Sequence, residues 1–275
     1  MTSWLNLFFP QWQGSGRRSV YDGAMALKAA IGQGMDLVEI PVGTAEEARA
    51  KSNIRDYDVL FRQLQMAIDK IASCSPQRIL MIGGDCCSTL APISYLNRLY
   101  QGDLAVIWLD AHGDLNTPES SPSKLFTGMP LRFLLGEGDP DILACLGPPL
   151  ESRQLVLAGT RDLDPPEAEC IDARSITMLR PEQLTAMPEA VAAAVKTQGF
   201  KNIYIHVDTD VLSPAAFPFS AWNAPGGIGL ETLETVITTL TREFQVVGQS
   251  VVEFGPCDRQ GIGQIRRIFQ VGRLL

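Results

Sequence analysis

Histidine is scarce in this 275-residue sequence, which contains only two, His112 and His206. A site built on several imidazoles is therefore excluded, and carboxylates must supply most of the ligands of any metal centre. The six cysteines are scattered, and they form neither a Cys-x-x-Cys pair nor a dense disulfide framework. Most of them are expected to be small buried hydrophobic residues.

Basic residues are in deficit, with 23 Lys and Arg against 31 Asp and Glu and a net charge of -8. Nucleic-acid binding depends on clustered basic residues, so nucleic acid is not expected as a partner. No apolar run reaches the roughly 18 residues of a membrane-spanning helix, and the opening segment lacks the pattern of a signal peptide. We therefore expect a soluble, cytoplasmic protein without a membrane partner.

The sequence does contain short apolar runs rich in Val, Ile and Leu that alternate with amphipathic stretches. This alternation predicts an α/β fold whose parallel sheet is buried on both faces, in one domain over residues 1–275. The predicted strands are 5–9, 37–42, 78–82, 104–109, 154–158, 202–207 and 246–252. Apolar residues at helical spacing occur in 57–72, 189–196, 230–243 and 259–271.

Two of these strands end in acidic clusters. The run 104–109 leads into Asp110, His112 and Asp114, and the run 202–207 leads into Asp208 and Asp210. Alternate residues share one side of a strand, so the side chains within each cluster converge. A single aspartate at a strand end usually caps a helix or a turn. Four carboxylates would repel one another unless divalent cations neutralised them, and no basic residue flanks either cluster in sequence.

Three further strand ends carry polar side chains. They are Gly83-Gly84-Asp85-Cys86-Cys87, Arg161-Asp162-Leu163-Asp164 and Glu253. Ligands of open parallel sheets bind outside the carboxyl ends of the strands, so these segments predict one shared pocket. The long loop 117–130 follows the first acidic cluster, and loops of this length inside compact domains are usually functional.

Taken in order, Gly83-Gly84-Asp85, Asp110-Ala111-His112-x-Asp114, Asp208-x-Asp210 and Glu253-x-x-Pro256 resemble the signature segments of the ureohydrolase family, the arginases and agmatinases. The resemblance covers roughly residues 78–260. It implies a three-layer α/β/α fold with a mostly parallel sheet of about eight strands. It also implies a homo-oligomeric hydrolase of linear C–N bonds in a small guanidino or amidino compound, acting through a hydroxide that bridges two divalent ions, usually manganese.

The same resemblance assigns roles to individual residues. Asp110 and Asp208 would bridge the ions. The implied metal ligands are Cys86, Asp110, His112, Asp114, Asp208 and Asp210. The implied catalytic residues are Asp114, Glu253 and Thr127, and the implied substrate-binding residues are Asn116, Ser121, Ser123, Asp164 and Glu253. Glu253 matches the carboxylate that receives the guanidinium, a pairing suited to the planar fork of that cation.

Two positions depart from the family pattern. Cys86 stands where a histidine ligand is usual, and a thiolate suits zinc, nickel or iron better than manganese. Cys86 could instead be a small buried residue without a ligand role. Thr127 stands where arginases carry a proton-shuttling histidine, which threonine cannot replace at neutral pH. A catalytically silent relative with a binding or structural role therefore remains the alternative to an active hydrolase.

His206 lies on the same strand as Asp208 and Asp210, at an even spacing from both. It could therefore face the metal ions. Because it lies deeper in the strand than the aspartates, a core position or a place behind the ligands is the expectation.

Overall fold

The computed structural model describes residues 4–44, 50–255 and 259–271. Eight strands form its sheet, and seven of them correspond to the seven predicted apolar runs. The strands are β1 (Trp4–Phe9), β2 (Leu37–Glu39), β3 (Arg78–Gly83), β4 (Ala105–Leu109), β5 (Leu155–Ala158), β6 (Thr177–Leu179), β7 (Asn202–Asp208) and β8 (Gln245–Val252).

All strand pairs in this sheet are parallel, in the order β2-β1-β3-β8-β7-β4-β5-β6. Four central strands, β3, β8, β7 and β4, are therefore neighbours although they are far apart in the sequence. Since parallel strands end on the same edge, the residues that follow these four strands are brought side by side.

In the described segments, ten α-helices cover the two faces of the sheet. They are α1 (Arg18–Ile31), α2 (Tyr57–Cys74), α3 (Leu90–Leu99), α4 (Pro130–Leu134), α5 (Pro140–Cys145), α6 (Pro165–Arg174), α7 (Pro181–Ala186), α8 (Ala190–Gln198), α9 (Leu230–Glu243) and α10 (Arg259–Val271). Within the described segments, no helix combines the length and the apolar character needed to cross a bilayer.

Each strand contributes alternate residues to two separate hydrophobic cores. On β3, Ile79 and Met81 pack with helices α2 and α3, whereas Leu80 and Ile82 face the core that contains residues of α1, α8, α9 and α10. Strands that are buried on both faces read as continuous apolar runs, which explains the signal in the sequence. The predicted three-layer α/β/α architecture with about eight parallel strands is confirmed.

The differences from the prediction have local causes. Strand β2 ends at Glu39 rather than at residue 42, because Pro41 has no N–H for the ladder. The edge strand β6 was not predicted, since three half-buried residues give no detectable alternation. Helix α3 was also missed because seven of its ten residues are buried, which removes the polar face that marks an amphipathic helix.

Candidate metal centre

The four central strands deliver the candidate ligands to one edge of the sheet. Asp110 directly follows β4, Asp208 is the last residue of β7, Cys86 lies three residues beyond β3, and Glu253 directly follows β8. The described residues form three groups whose ligand atoms all lie within 4.8 Å of one another: Cys86, Asp110 and His206; Cys86, Asp208 and Glu253; and Asp110, His112 and Asp210. Asp110, Asp208 and Asp210 of the two strand-end clusters therefore lie within these groups, whereas Asp114 belongs to none of them.

Asp110, His112 and Asp210 form the outer group. His112 Nδ1 lies 3.0 Å from Asp210 Oδ2 and 3.4 Å from Asp110 Oδ1. One imidazole nitrogen between two carboxylate oxygens is a donor set that suits manganese, iron or zinc.

Cys86 lies at the centre of the inner groups. Its Sγ is 3.2 Å from Asp208 Oδ2 and 3.9 Å from Asp110 Oδ2. The side chain is buried, and it also lines the cavity in front of the centre. A sulfur in contact with two carboxylates differs chemically from the imidazole of the outer group, so the two halves of the centre offer different donors.

Backbone amides orient the three central aspartates. The amide of His112 donates to Asp110 Oδ1 at 2.7 Å, the amide of Asp210 donates to Asp208 Oδ1 at 2.7 Å, and the amide of Ala111 donates to Asp210 Oδ1 at 3.0 Å. Each carboxylate thus has one oxygen held by a backbone amide, and Oδ2 of Asp110 also accepts the indole N–H of Trp108 at 3.0 Å. This arrangement resembles the outer hydrogen bonds that position metal-binding carboxylates.

Burial and mutual repulsion perturb the acids strongly. Burial, with the charge of Asp210 next, raises the pKa of Asp110 to about 6. Burial also raises the pKa of Asp114 and Asp208 well above the usual range, and their carboxylate neighbours add to the shift. For Asp210 the same burial is outweighed by the hydrogen bond and charge of His112, which lower its pKa. Ionisation of all these carboxyl groups is therefore unfavourable unless a cation neutralises them.

Buried carboxylate oxygens without hydrogen-bond partners indicate which kind of ligand this cluster can bind. Among the described residues, Asp114 Oδ2 and Glu253 Oε2 are buried and have no hydrogen-bond partner. Buried polar atoms in native proteins are nearly always satisfied. Several carboxylate oxygens, an imidazole and a sulfur converging in one place form a donor set that divalent cations would satisfy and neutralise. The residues present therefore fit a divalent-metal centre.

Asp114 and Glu253 also have unusual backbone conformations. Their φ angles are 52° and 53°, in the left-handed region that non-glycine residues rarely adopt. Such conformations cost about 1–3 kcal/mol each and concentrate at functional sites. At Glu253 the turn is fixed by its amide, which donates to Gly84 O at 2.7 Å.

A cavity of about 290 Å³ opens in front of the centre. Among the described residues that line it there is no Lys or Arg, which favours a cationic ligand. All the residues predicted to bind substrate contribute to its wall, and so do three of the predicted metal ligands besides Cys86. These lining residues are Asn116, Ser121, Ser123, Asp164, Glu253, His112, Asp114 and Asp208. Asp110 and Asp210 lie behind this wall and are fully buried.

Hydrogen bonds connect the predicted substrate-binding residues with one another. Asn116 Nδ2 donates to Asp164 Oδ2 at 2.9 Å, and Ser121 Oγ lies 3.4 Å from Ser123 Oγ. These four residues therefore line the cavity as two pairs. The sequence pattern did not indicate this pairing.

Thr127 contacts Glu253 directly. Its hydroxyl donates to Glu253 Oε1 at 2.7 Å and accepts the amide of Cys86 at 3.3 Å. The single proton of the hydroxyl is therefore engaged with the carboxylate. This contact gives Thr127 a positioning role for Glu253, a role that the sequence did not indicate.

Sequence reasoning assigned no role to two charged residues near the centre, Arg161 and Glu167. No basic residue flanks the acidic clusters in the sequence, but in the structure Arg161 lies behind Asp210. Its guanidinium donates to backbone carbonyls, including Asp210 O at 2.8 Å and Pro225 O at 2.8 Å, rather than to a carboxylate. Glu167 accepts the amides of Leu115 and Asp164 at 3.0 and 2.9 Å. The capping-box spacing from Asp164 to Glu167 was its available signal.

The remaining sequence expectations concern His206 and Pro256. His206 is fully buried and stacks on Trp108, with 3.4 Å between ring centroids, so it lies in the core as expected. Its Nε2 lies 4.0 Å from Asp110 Oδ2. Pro256 of the fourth signature segment lies outside the described residues.

Comparisons with known proteins agree with this geometry. An arginase of Staphylococcus aureus strain MRSA252 is 30% identical over 227 residues, which are 80% of this chain and 75% of that protein. The crystal structure of Entamoeba histolytica arginase in complex with L-ornithine superposes with a TM-score of 0.90 at 20% identity, covering 100% of this chain and 99% of that one. Bacillus caldovelox arginase superposes with a TM-score of 0.86 at 25% identity, covering 100% and 98%.

A sequence profile described as the arginase family matches residues 10–264, which include every candidate ligand. With the matching fold and the strand-end acids in the signature order, this chain belongs to the arginase family.

Proposed function

We propose that the protein is a metal-dependent hydrolase that cleaves a linear C–N bond in a small guanidino or amidino compound. The observation that carries the proposal is the convergence of the acids from β4 and β7 with His112, in front of a cavity that ends at Glu253. We further propose a cytoplasmic homo-oligomer without nucleic-acid or membrane partners. Manganese is the proposed metal by family resemblance, and zinc, nickel or iron are alternatives because of Cys86.

Divalent ions in such a centre supply a nucleophile from water at neutral pH and stabilise developing negative charge. The ligands proposed to hold them are Cys86, Asp110, His112, Asp114, Asp208 and Asp210. The backbone amides on Asp110, Asp208 and Asp210 keep these ligands in place before any ion arrives. Preorganisation of this kind lowers the reorganisation needed during reaction.

Glu253 is the proposed receptor for the guanidinium or amidinium group. It is buried, its Oε1 is held by Thr127, and its Oε2 has no partner among the described residues. A carboxylate in this state gains most from a planar cation that donates N–H groups to it. Pairing with Glu253 would place the carbon of that cation next to the ligand groups, which is the orientation that hydrolysis requires.

The leaving amine must acquire a proton, and Thr127 cannot supply it, because its only proton is committed to Glu253. His112, at the cavity wall, is partly exposed. His112 is itself a proposed metal ligand, with its Nδ1 3.0 Å from Asp210 Oδ2, so it is not a free proton shuttle either. Solvent in the cavity is the proposed proton source.

A panel of guanidino and amidino compounds tests the proposal. Protein reconstituted separately with manganese, nickel and zinc should release urea or ammonia from at least one compound. Asp172→Asn is a control, because Asp172 is exposed on α6, does not line the cavity and belongs to none of the ligand groups. Release of neither product under any metal would refute the proposal.

A catalytically silent protein is the second candidate, favoured by Cys86 and Thr127 at the two positions where histidine is expected. Two ions per chain would favour catalysis, and one ion or none would favour a binding or structural role. Restoration separates the two further. If Cys86→His creates manganese-dependent release of urea that the parent lacks, the natural protein is the silent relative.

A further inference from the structure

His206 has one ring nitrogen that the core does not satisfy. The side chain is fully buried, and within the described chain its Nε2 makes no hydrogen bond. The other nitrogen, Nδ1, lies 3.4 Å from Ser250 Oγ. A histidine that served only as core packing would leave a buried polar atom without compensation, which native structures rarely do.

The free nitrogen points towards two other candidate ligand atoms. Nε2 is 4.0 Å from Asp110 Oδ2, and Asp110 Oδ2 is 3.9 Å from Cys86 Sγ. All three atoms lie within 4.8 Å of one another. Zinc binds sulfur at about 2.3 Å and nitrogen or oxygen at about 2.1 Å in tetrahedral geometry, so ligand atoms that share one ion lie about 3.4–3.8 Å apart. Shifts of up to about 1 Å in these side chains complete the site.

The surroundings of His206 match those of metal-binding histidines. Ligating imidazoles usually donate the N–H of their second nitrogen to a fixed acceptor, which sets the tautomer. Ser250 Oγ can take this role at Nδ1. The stack on Trp108, with an interplanar angle of 2°, fixes the plane of the imidazole ring.

Asp110 can serve this inner site without leaving the outer group. Its Oδ1 lies 3.4 Å from His112 Nδ1, whereas its Oδ2 faces Cys86 and His206. One carboxylate therefore presents a separate oxygen to each half of the centre.

We propose that Cys86, Asp110 and His206 hold the inner ion, and that this ion is thiophilic, with zinc as the best match to a sulfur, nitrogen and oxygen donor set. His206 then supplies the imidazole that position 86 lacks, from strand β7, which lies two strands away from β3 in the sheet. On binding, the ion displaces the proton of the Cys86 thiol to solvent. This inference deepens the proposed function and rests on the same centre binding ions, but it does not require turnover.

Cobalt(II) reports on the sulfur ligand. One equivalent should produce a thiolate-to-cobalt charge-transfer band in the near ultraviolet, since thiolates are the ligands that give such bands. Cys86→Ser should abolish the band. The matched control is Cys87→Ser, because Cys87 is equally buried and adjacent but belongs to none of the ligand groups. Absence of the band in the parent at saturating cobalt would overturn the proposal.

Nitrogen NMR reports on His206 without ambiguity, because the chain has only two histidines. In protein labelled with ¹⁵N-histidine, the variant His112→Asn leaves His206 as the single source of signal. Zinc should move its Nε2 resonance to a metal-bound position while Nδ1 keeps its proton. If His112→Asn does not fold, the parent protein should show the same change at His206, and its spectrum contains the signals of only one other histidine, His112.

A charge-transfer band together with an unchanged His206 spectrum would overturn the proposal, since Cys86 would then bind the ion without His206. Failure of the proposed function is distinguishable. A shifted His206 resonance in a protein that releases neither urea nor ammonia leaves this inference standing and refutes hydrolysis. Urea release with an unchanged His206 resonance would support hydrolysis and overturn the proposed role of His206.

Discussion

The ligand cluster and the loop in front of it, residues 116–127, hold their side chains by different means. In the cluster, Asp110, Asp208 and Asp210 are at most 2% exposed, and backbone amides hold one oxygen of each at 2.7–3.0 Å. In the loop, Ser121 and Ser123 contact each other, and Ser123 is exposed. The sheet therefore fixes the chemistry of the site, whereas the loop shapes the part of the cavity that meets the remainder of a substrate.

This contrast predicts that substitutions in the cluster change catalysis and metal binding together, whereas substitutions in the loop change only affinity for the substrate. Thr127 connects the two regions through its hydrogen bond to Glu253. Variants of both regions therefore test whether the cluster and the loop have separate roles.

Asp208→Asn should have the largest effect. It replaces a carboxylate that contacts Cys86 by an amide of the same size. Loss of residues that only orient metal ligands costs about 10- to 100-fold, so loss of a ligand should lower metal affinity and activity at least about 100-fold. Removal of one buried charge should at the same time raise the melting temperature of the metal-free protein. Metal content by mass spectrometry, with Asp172→Asn as control, measures the first effect. Unchanged metal binding would remove Asp208 from the centre.

Glu253→Gln should reduce kcat/KM about 100- to 1000-fold without loss of metal, because glutamine keeps the shape but not the charge that pairs with the substrate cation. Thr127→Val should cost less, about 10-fold, since it removes only the hydrogen bond that positions Glu253. Steady-state kinetics on both variants and on the double variant measure the coupling. Strictly additive losses would contradict a positioning role for Thr127.

The metal-free protein should lose stability as the pH rises. Burial raises the pKa of Asp85 to about 7, that of Glu167 to about 7 and that of Asp110 to about 6. At these three acids the folded state binds more protons than the unfolded chain between about pH 4 and pH 7, so their contribution to the free energy of unfolding is highest below about pH 4 and falls through this interval.

Melting temperatures measured in chelator from pH 4 to pH 8 test this direction. Asp85→Asn should flatten the decline, and Asp172→Asn, on the exposed side of α6, is the control. Excess manganese should raise the melting temperature most at neutral pH, where the cluster repels itself most strongly. A melting temperature that rises from pH 4 to pH 7 in chelator would contradict the buried acids as the dominant titrating groups.

Ser123→Ala should have the smallest effect, a rise in KM of about 2- to 10-fold at constant kcat, because one hydroxyl contact to the substrate is worth roughly 1 kcal/mol. Ser73→Ala, exposed on α2, is the control. A loss of kcat in Ser123→Ala would show that the loop takes part in the chemistry, and the proposed separation between cluster and loop would be wrong.

Local sequence patterns were enough to predict seven of the eight strands in the described segments, because a strand buried on both faces is a continuous apolar run. They also determined which residues leave β4 and β7 together, since alternate positions on one strand necessarily share a side. The order of the four signature segments was enough to identify the family.

The order of the strands in the sheet could not be predicted from local sequence patterns, because strand pairing depends on packing between distant parts of the chain. The sequence order of β3, β4, β7 and β8 becomes β3-β8-β7-β4 in the sheet. That rearrangement places Glu253 beside Cys86, Thr127 against Glu253 and Arg161 behind Asp210. It also leaves His206 Nε2 facing Asp110, a relation between two strands that becomes visible only when both lie side by side.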